Sequence, residues 1–310
     1  MINRVLIRIK VLQVLYSYVL TRSDKSLGAA RKELAASLDK TYELYNYLLK
    51  LAIELTDMEE ARLEDNRHKY MPTPEELNPD LKFVQNKMIE LLRTNEELGN
   101  YFLSHGVTWE NDDIFKRMIL EKILRSDVYR EYMANDDNSL VEDSNVWRQI
   151  MKQVVLPSED LHDVVESKSL YWTVEDVDVM GQFAVKTFAR IGEGNDHAVM
   201  PMYKNEEDGK FGDRLFTTAV SQFDENNTLI DQQLQNGRWD KDRIALIDRL
   251  VLCVALSEIR AFDDIPVVVS INEYIELAKN FGMPQSGHFV NGVLDAAVKK
   301  LRSQGDVIKA

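Results

Sequence analysis

Cysteine is nearly missing from this chain of 310 residues: Cys253 is the only one. That excludes a disulfide framework and a cysteine-based zinc site, and it fits a reducing compartment. Glycine (13) and proline (7) are scarce, while 45% of residues are hydrophobic and 29% charged, which rules out a disordered tail or a low-complexity repeat. Basic charge is short as well. Lys and Arg number 38 against 52 Asp and Glu, for a net −14. Such a balance argues against a protein that coats nucleic acid or membrane with its whole surface, but it leaves room for a local basic patch. Long apolar runs are absent too. LVLCVAL at 250–256 is too short to span a bilayer. The apolar opening MINRVLIRIKVLQVLYSYVL is interrupted by Arg8 and Lys10 and has no small-residue cleavage site. The expectation is a cytoplasmic chain with no membrane partner.

Catalytic equipment is also lacking. The histidines, His68, His105, His162, His197 and His288, are dispersed without metal-ligand spacing. No glycine-rich phosphate loop occurs; Gly192 and Gly194 make only G-x-G in a polar stretch with no strand before it. No Ser, Cys or Lys sits in a nucleophile motif. Asp263 and Asp264, before Ile265-Pro266, read as a solvated turn and not as a metal pair, and Cys253 within LVLCVAL reads as core. The chain is expected to be no enzyme, with no cofactor and no metal.

What is present is helical periodicity almost throughout, so the fold class is all-α. Length allows two ordinary domains, or one core domain with a large insertion. Helices are expected over 2–22, about 26–66, 80–104, 110–134, 144–156, 173–191, 214–235 and 241–262, the last capped by Asp240. In the second, Leu34, Leu38, Tyr42, Tyr45, Leu48 and Leu49 are spaced for one buried face. The prolines of MPTPEELNPD (71–80) end it, and 134–145 and 192–213 read as loops. In SINEYIELAKNFGMP, Ser270 and Glu273 have the spacing of a capping box with a Val269–Tyr274 staple, and Gly282 followed by Pro284 ends the helix. SGHFVNGVLDAAVKKL carries two readings. Asn291-Gly292 is a hairpin signal, whereas Val290, Val293, Leu294, Ala297 and Leu301 repeat with helical spacing behind a Ser286 cap. The helix is favoured, at about 1 kcal/mol for the interior glycine, which a closely packed neighbouring helix would explain.

Charge is unevenly placed. Residues 1–32 hold seven bases (Arg4, Arg8, Lys10, Arg22, Lys25, Arg31, Lys32) and one acid, Asp24, for +6, which leaves −20 on the rest. Arg4 and Arg8 stand one turn apart, with Arg22 near the same azimuth. Two readings stay open: a basic ridge that holds phosphates, or bases paired with the acidic remainder of the chain.

Two segments carry a family resemblance. RIKVLQVLYSYVL (8–20) resembles the first helix of the NusB transcription antitermination factors, with Arg8, Gln13, Leu15 and Tyr16 on the motif. The segment 243–301, with its Ile-Pro turn, I-N-E-x-x-E-L-A-K, F-G and F-V-N-G-V-L-D in order, is similar to the C-terminal half of that family. The resemblance implies a NusB-like helical bundle of two small subdomains. It further implies binding of single-stranded boxA-type RNA of ribosomal RNA leaders together with NusE, a small-subunit ribosomal protein, in an RNA polymerase antitermination complex. By the same resemblance Arg8, Gln13 and Tyr16 on the first helix face RNA, and Ser286, His288, Phe289 and Asn291 border that surface. Arg4 and Lys10 of the basic segment complete the candidate set. Cations would serve phosphates, and amides and aromatics unstacked bases. Phe289 is the candidate for base stacking, or else a core residue.

The chain also departs from the family pattern. Val5 and Leu6 stand where Arg is common, His288 where Lys is usual, and Gln285 where an acid is common, which bears on RNA affinity. Residues 25–210 have no counterpart in short members and read as a helical, acidic insertion, similar to long forms of the Bacteroidetes lineage. The core would then be 1–24 and 211–304 with a tail at 305–310, and either 26–40 or 173–191 would replace the family's second helix. Competing readings are a protein–protein scaffold of this fold that has lost RNA binding, and an accessory domain of an RNA methyltransferase. The latter needs a nucleotide-binding α/β domain after Leu301.

Overall fold

A computed structural model describes residues 2–21, 26–195, 197–235, 244–307 and 309, and among these no strand occurs. The helices are α1 (Arg4–Leu20), α2 (Leu27–Arg67), α3 (Pro74–Leu77), α4 (Lys87–Arg93), α5 (Glu96–His105), α6 (Asp113–Arg125), α7 (Asp127–Ala134) and α8 (Leu140–Ile150). They continue with α9 (Glu159–Lys168), α10 (Val174–Gly192), α11 (Glu206–Ser221), α12 (Phe223–Gln235), α13 (Leu246–Ala261), α14 (Val267–Phe281) and α15 (Ser286–Gln304). A π-helical turn, Met151–Val155, prolongs α8. No helix of the described residues is long and apolar enough to cross a membrane.

Short polar side chains set most of the breaks that the periodicity could not show. The stretch 80–104 contains two helices, because Asn95 Oδ1 accepts from the Leu98 amide at 2.8 Å and starts α5 afresh. Ser126 divides 110–134 in the same way: its Oγ accepts from the Tyr129 amide at 3.1 Å and donates to Ile123 O at 2.7 Å. The expected 214–235 helix breaks at Gln222 into α11 and α12. The expected loop 192–213 already contains the start of α11, capped by Asn205, whose Oδ1 accepts from the Asp208 amide at 2.8 Å. The Asp240 cap and Arg22 lie outside the described residues.

The chain divides into two compact units, one of residues 39–202 and the other of 2–38 with 203–310. The boundaries expected from sequence fall after 24 and 210, while the division falls after 38 and 202. In the second unit a Cβ built on Gly212 would lie 2.9 Å from Ile7 Cγ2 and 3.4 Å from Leu38 Cδ1, so the first turns of α2 press on α11 together with α1. Gly212 is thus a close-packing glycine. Gly292 is not: it is exposed within α15 with nothing near its missing Cβ, and Asn291-Gly292 forms no hairpin.

The 39–202 unit is built on aromatic rings. Tyr47 meets Trp109 edge-on at 5.5 Å and Trp172 at 5.2 Å, Trp109 stacks on Phe115 at 5.4 Å, and Phe83 stacks on Trp147 at 5.5 Å. The indoles keep partners where the backbone offers them, Trp109 Nε1 to Tyr47 O at 2.9 Å and Trp172 Nε1 to Lys40 O at 2.5 Å. In the other unit α13 is the central helix, packed by α1, α11, α12, α14 and α15. Every residue from Leu250 to Ile259 is buried.

Candidate nucleic-acid interface

The expected RNA-facing set lies wholly in the unit of α1 and α11–α15. Helix α1 starts at Asn3, whose Oδ1 accepts from the Leu6 amide at 2.9 Å. This phase sends Arg8 inward, to 3% exposure. Its Nε and Nη2 donate to the two Glu258 oxygens at 2.7 and 2.8 Å, and Nη1 lies 3.5 Å from Glu273. Glu258, fully buried, also accepts from Ser270 Oγ and Tyr274 OH, each at 2.8 Å. Burial works against the Arg8 charge, but the hydrogen bonds and charge of Glu258 outweigh it and leave the pKa raised. The knot joins α1, α13 and α14, with every oxygen of Glu258 engaged.

This corrects two expectations. Arg8 cannot present its guanidinium to RNA, because it neutralises a carboxylate inside the fold. Ser270 is no N-cap: α14 begins three residues earlier, after Pro266, whose fixed φ of −58° starts the helix, and the Ser270 hydroxyl is spent on Glu258. Gly282 does end α14 as expected.

Arg4 is half-buried. Nε donates to Asp208 at 2.8 Å and Nη1 to Asp264 at 3.0 Å, and the guanidinium lies 5.0 Å from the Phe211 ring centre. Arg31 pairs with Asp213 through Nε at 2.6 Å and Nη2 at 2.7 Å. Of the two readings of the basic segment, pairing with the acidic remainder therefore holds for Arg4, Arg8 and Arg31. Arg22, Asp24 and Lys25 lie outside the described residues.

The remaining candidates divide by burial. Lys10, Ser286 and Phe289 are buried. Ser286 does not cap α15. Its Oγ accepts from the Met283 amide and donates to Asp248, both at 2.8 Å, so it ties the α14–α15 corner to the first turn of α13. Phe289, at 6% exposure, is a core residue and offers no face for stacking a base. Gln13 and Tyr16 are exposed one turn apart on α1, and His288 and Asn291 one turn apart on α15. Beside Arg4 a cleft of about 220 Å³ is bordered by Lys210 and Arg214 and by Glu207 and Asp264. Arg214 also caps α13, donating to Ala261 O, and stacks 4.2 Å from the Phe262 ring centre.

Sequence reading missed Glu258, Asp208 and Asp264 as partners of the arginines. One signal was available for Glu258, which is the first acid after the seven-residue apolar run at 250–256. A charge so placed on a buried helix requires a cation.

A family model described as the NusB family matches residues 182–299, from within α10 to near the end of α15. A protein of Salinibacter ruber named transcription antitermination protein NusB is 36% identical over 115 residues, which cover 36% of this chain and 71% of that relative. The chain belongs to the NusB family. Proteins of the same name from Chloroherpeton thalassium (34% identical, 31% of this chain, 45% of the relative) and Natranaerobius thermophilus (41% identical, 27% and 62%) are also similar. No solved structure matches the chain. The NusB match contains Glu258, Ser270, Tyr274, His288 and Asn291 and stops short of α1. The relatives are named for antitermination, in keeping with a non-enzyme.

Proposed function

We propose that this NusB-family transcription antitermination factor binds boxA-type single-stranded RNA of ribosomal RNA leaders together with NusE, within an RNA polymerase antitermination complex. The observation that carries the reading is the outward pair Gln13 and Tyr16, an amide and an aromatic ring on the helix that resembles the family's first. Single-stranded bases are recognised by such groups. His288 and Asn291 supply a second exposed pair on α15, and Lys210 and Arg214 supply cations at the cleft beside Arg4, whose own charge is met by Asp208 and Asp264. With Arg8 turned inward, one or two phosphates are neutralised instead of three. The slope of log K against log salt is then about −0.7 to −1.4, against about −2 for three.

Labelled boxA RNA titrated with and without NusE at several salt concentrations tests this. Tyr16→Ala is expected to weaken binding at least fivefold. Absence of binding with NusE present overturns the reading and favours a partner-binding scaffold of the same fold, to which the neutralised Arg4 and Arg8 already point.

A further inference from the structure

The corner between α13 and α14 gathers negative charge. The last carbonyls of a helix carry the negative end of its dipole, and Asp263 and Asp264 follow directly on Phe262, which caps α13. Arg260, the base in the last turn, is turned to Glu225 at 2.6 Å. The cations that meet the corner come instead from segments distant in the chain. Arg4 of α1 reaches Asp264 at 3.0 Å, and Arg214 of α11 donates to Ala261 O. The third is Lys309, whose Nζ donates to Phe262 O at 2.6 Å and lies 3.5 Å from Glu258 O. Burial lowers the pKa of this ammonium, against the charges of Glu258, Asp263 and Asp264.

The segment that carries Lys309 is built to turn back on the fold. Gly305, at φ +80°, ends α15; its amide donates to Arg302 O at 3.2 Å and the Asp306 amide to Leu301 O at 3.0 Å. Val307 is buried, at 5% exposure, and Arg302 Nη2 donates to Lys309 O at 3.2 Å. An apolar anchor and a charge-assisted bond thus seat Lys309 on the end of α13. It does not border the cleft beside Arg4, but Phe262 and Asp264 do. Arg4 and Arg214 stand on helices of 17 and 16 residues. Lys309 depends on a few residues after α15, so of the three cations it is the one that can let go.

We propose that residues 305–309 are a clasp on the α13 end, with Lys309 as a positioning residue for the cleft. Seated, Lys309 steadies the 261–264 corner and offsets its charge, so that Lys210 and Arg214 can draw RNA phosphate into the cleft. Released, it leaves the corner more negative, and phosphate is repelled. The effect on RNA rests on the boxA reading; the clasp itself does not.

Full-length Lys309→Met, which loses the charge, would be compared with Lys309→Arg and with Lys299→Met, the same charge change at an exposed position of α15. The amides of Phe262 and Ile265 close the corner onto Glu258 O and Phe262 O. Their hydrogen exchange is expected to quicken about fivefold in Lys309→Met and to stay within about twofold in the other two variants. BoxA RNA with NusE at low salt should bind about threefold more weakly to Lys309→Met alone, and the difference should fade at high salt. Unchanged exchange in Lys309→Met, an equal change in Lys299→Met, or no rescue by arginine overturns the clasp. Quickened exchange with unchanged RNA affinity overturns its role at the cleft. If the unaltered protein binds no boxA RNA, the RNA reading fails and the cleft role with it, while exchange still decides the clasp.

Discussion

The two compact units solve the same packing problem with different materials. The 39–202 unit fills its interior with Trp109, Trp147, Trp172, Tyr45 and Phe83. Among the described residues the other unit has no tryptophan, and it carries an Arg8–Glu258–Ser270–Tyr274 knot inside a core of aliphatic side chains and phenylalanines. An aromatic core asks mainly for volume and shape, which many sequences can supply. A buried ion pair asks for particular atoms at particular places, and it is costly when one of them is missing. The difference teaches where a sequence signature can be expected. Glu258, Ser270 and Tyr274 fall inside the NusB match, which takes in only residues 182–202 of the aromatic unit.

This contrast can be broken most sharply at the knot. Arg8→Glu places a second carboxylate against buried Glu258, and a cost on the order of 5 kcal/mol is expected, read as a lower urea midpoint. Unchanged stability would mean that the arginine is a surface cation after all. Trp109→Ala should cost about 3–5 kcal/mol through the cavity it leaves. The loss is expected in the unfolding transition seen by tryptophan fluorescence, since Trp109, Trp147 and Trp172 all report on that unit. A pair of glycines gives a smaller test within one unit. Gly212→Val should destabilise by about 1–3 kcal/mol by overpacking α1 against α11, whereas Gly292→Ala should stabilise by about 0.5–1 kcal/mol.

Asp248 gives a test by pH. Burial raises its pKa, and the bond from Ser286 only partly offsets this. The folded state therefore binds the proton more tightly than the unfolded chain, so ∂ΔG/∂pH is negative between the ordinary carboxylate value and the raised one. Its contribution is present at low pH and is lost as pH rises through that window. Asp248→Asn should remove this loss, which shows as a flatter dependence of the urea midpoint on pH. An unchanged profile would mean that the carboxylate titrates normally.

Much of the fold was legible locally. The long α2 was expected over about 26–66 and spans Leu27–Arg67, and the helical reading of 286–301 prevailed over the hairpin because Val290, Val293, Leu294, Ala297 and Leu301 all turn inward. Helix α9 went unnoticed because only Leu161 and Val165 mark its buried side. The start of α14 was misread because Ser270 and Glu273 satisfy a capping pattern while their side chains serve Glu258 and Arg8. In the candidate interface, Gln13, Tyr16, His288 and Asn291 face outward, and Arg8, Lys10, Ser286 and Phe289 do not.

Periodicity, caps and composition act over a few residues, so the sequence by itself determined that the chain is helical and where most helices lie. It also determined the family, through motifs that are contiguous in the chain. Which charges face water was decided only by the tertiary structure. Arg8 meets Glu258 across 250 residues of sequence, and Arg4 meets Asp208 across 204. A count of charges gives +6 for the opening segment, but a cation's field depends on the carboxylate beside it, and only the fold sets that distance.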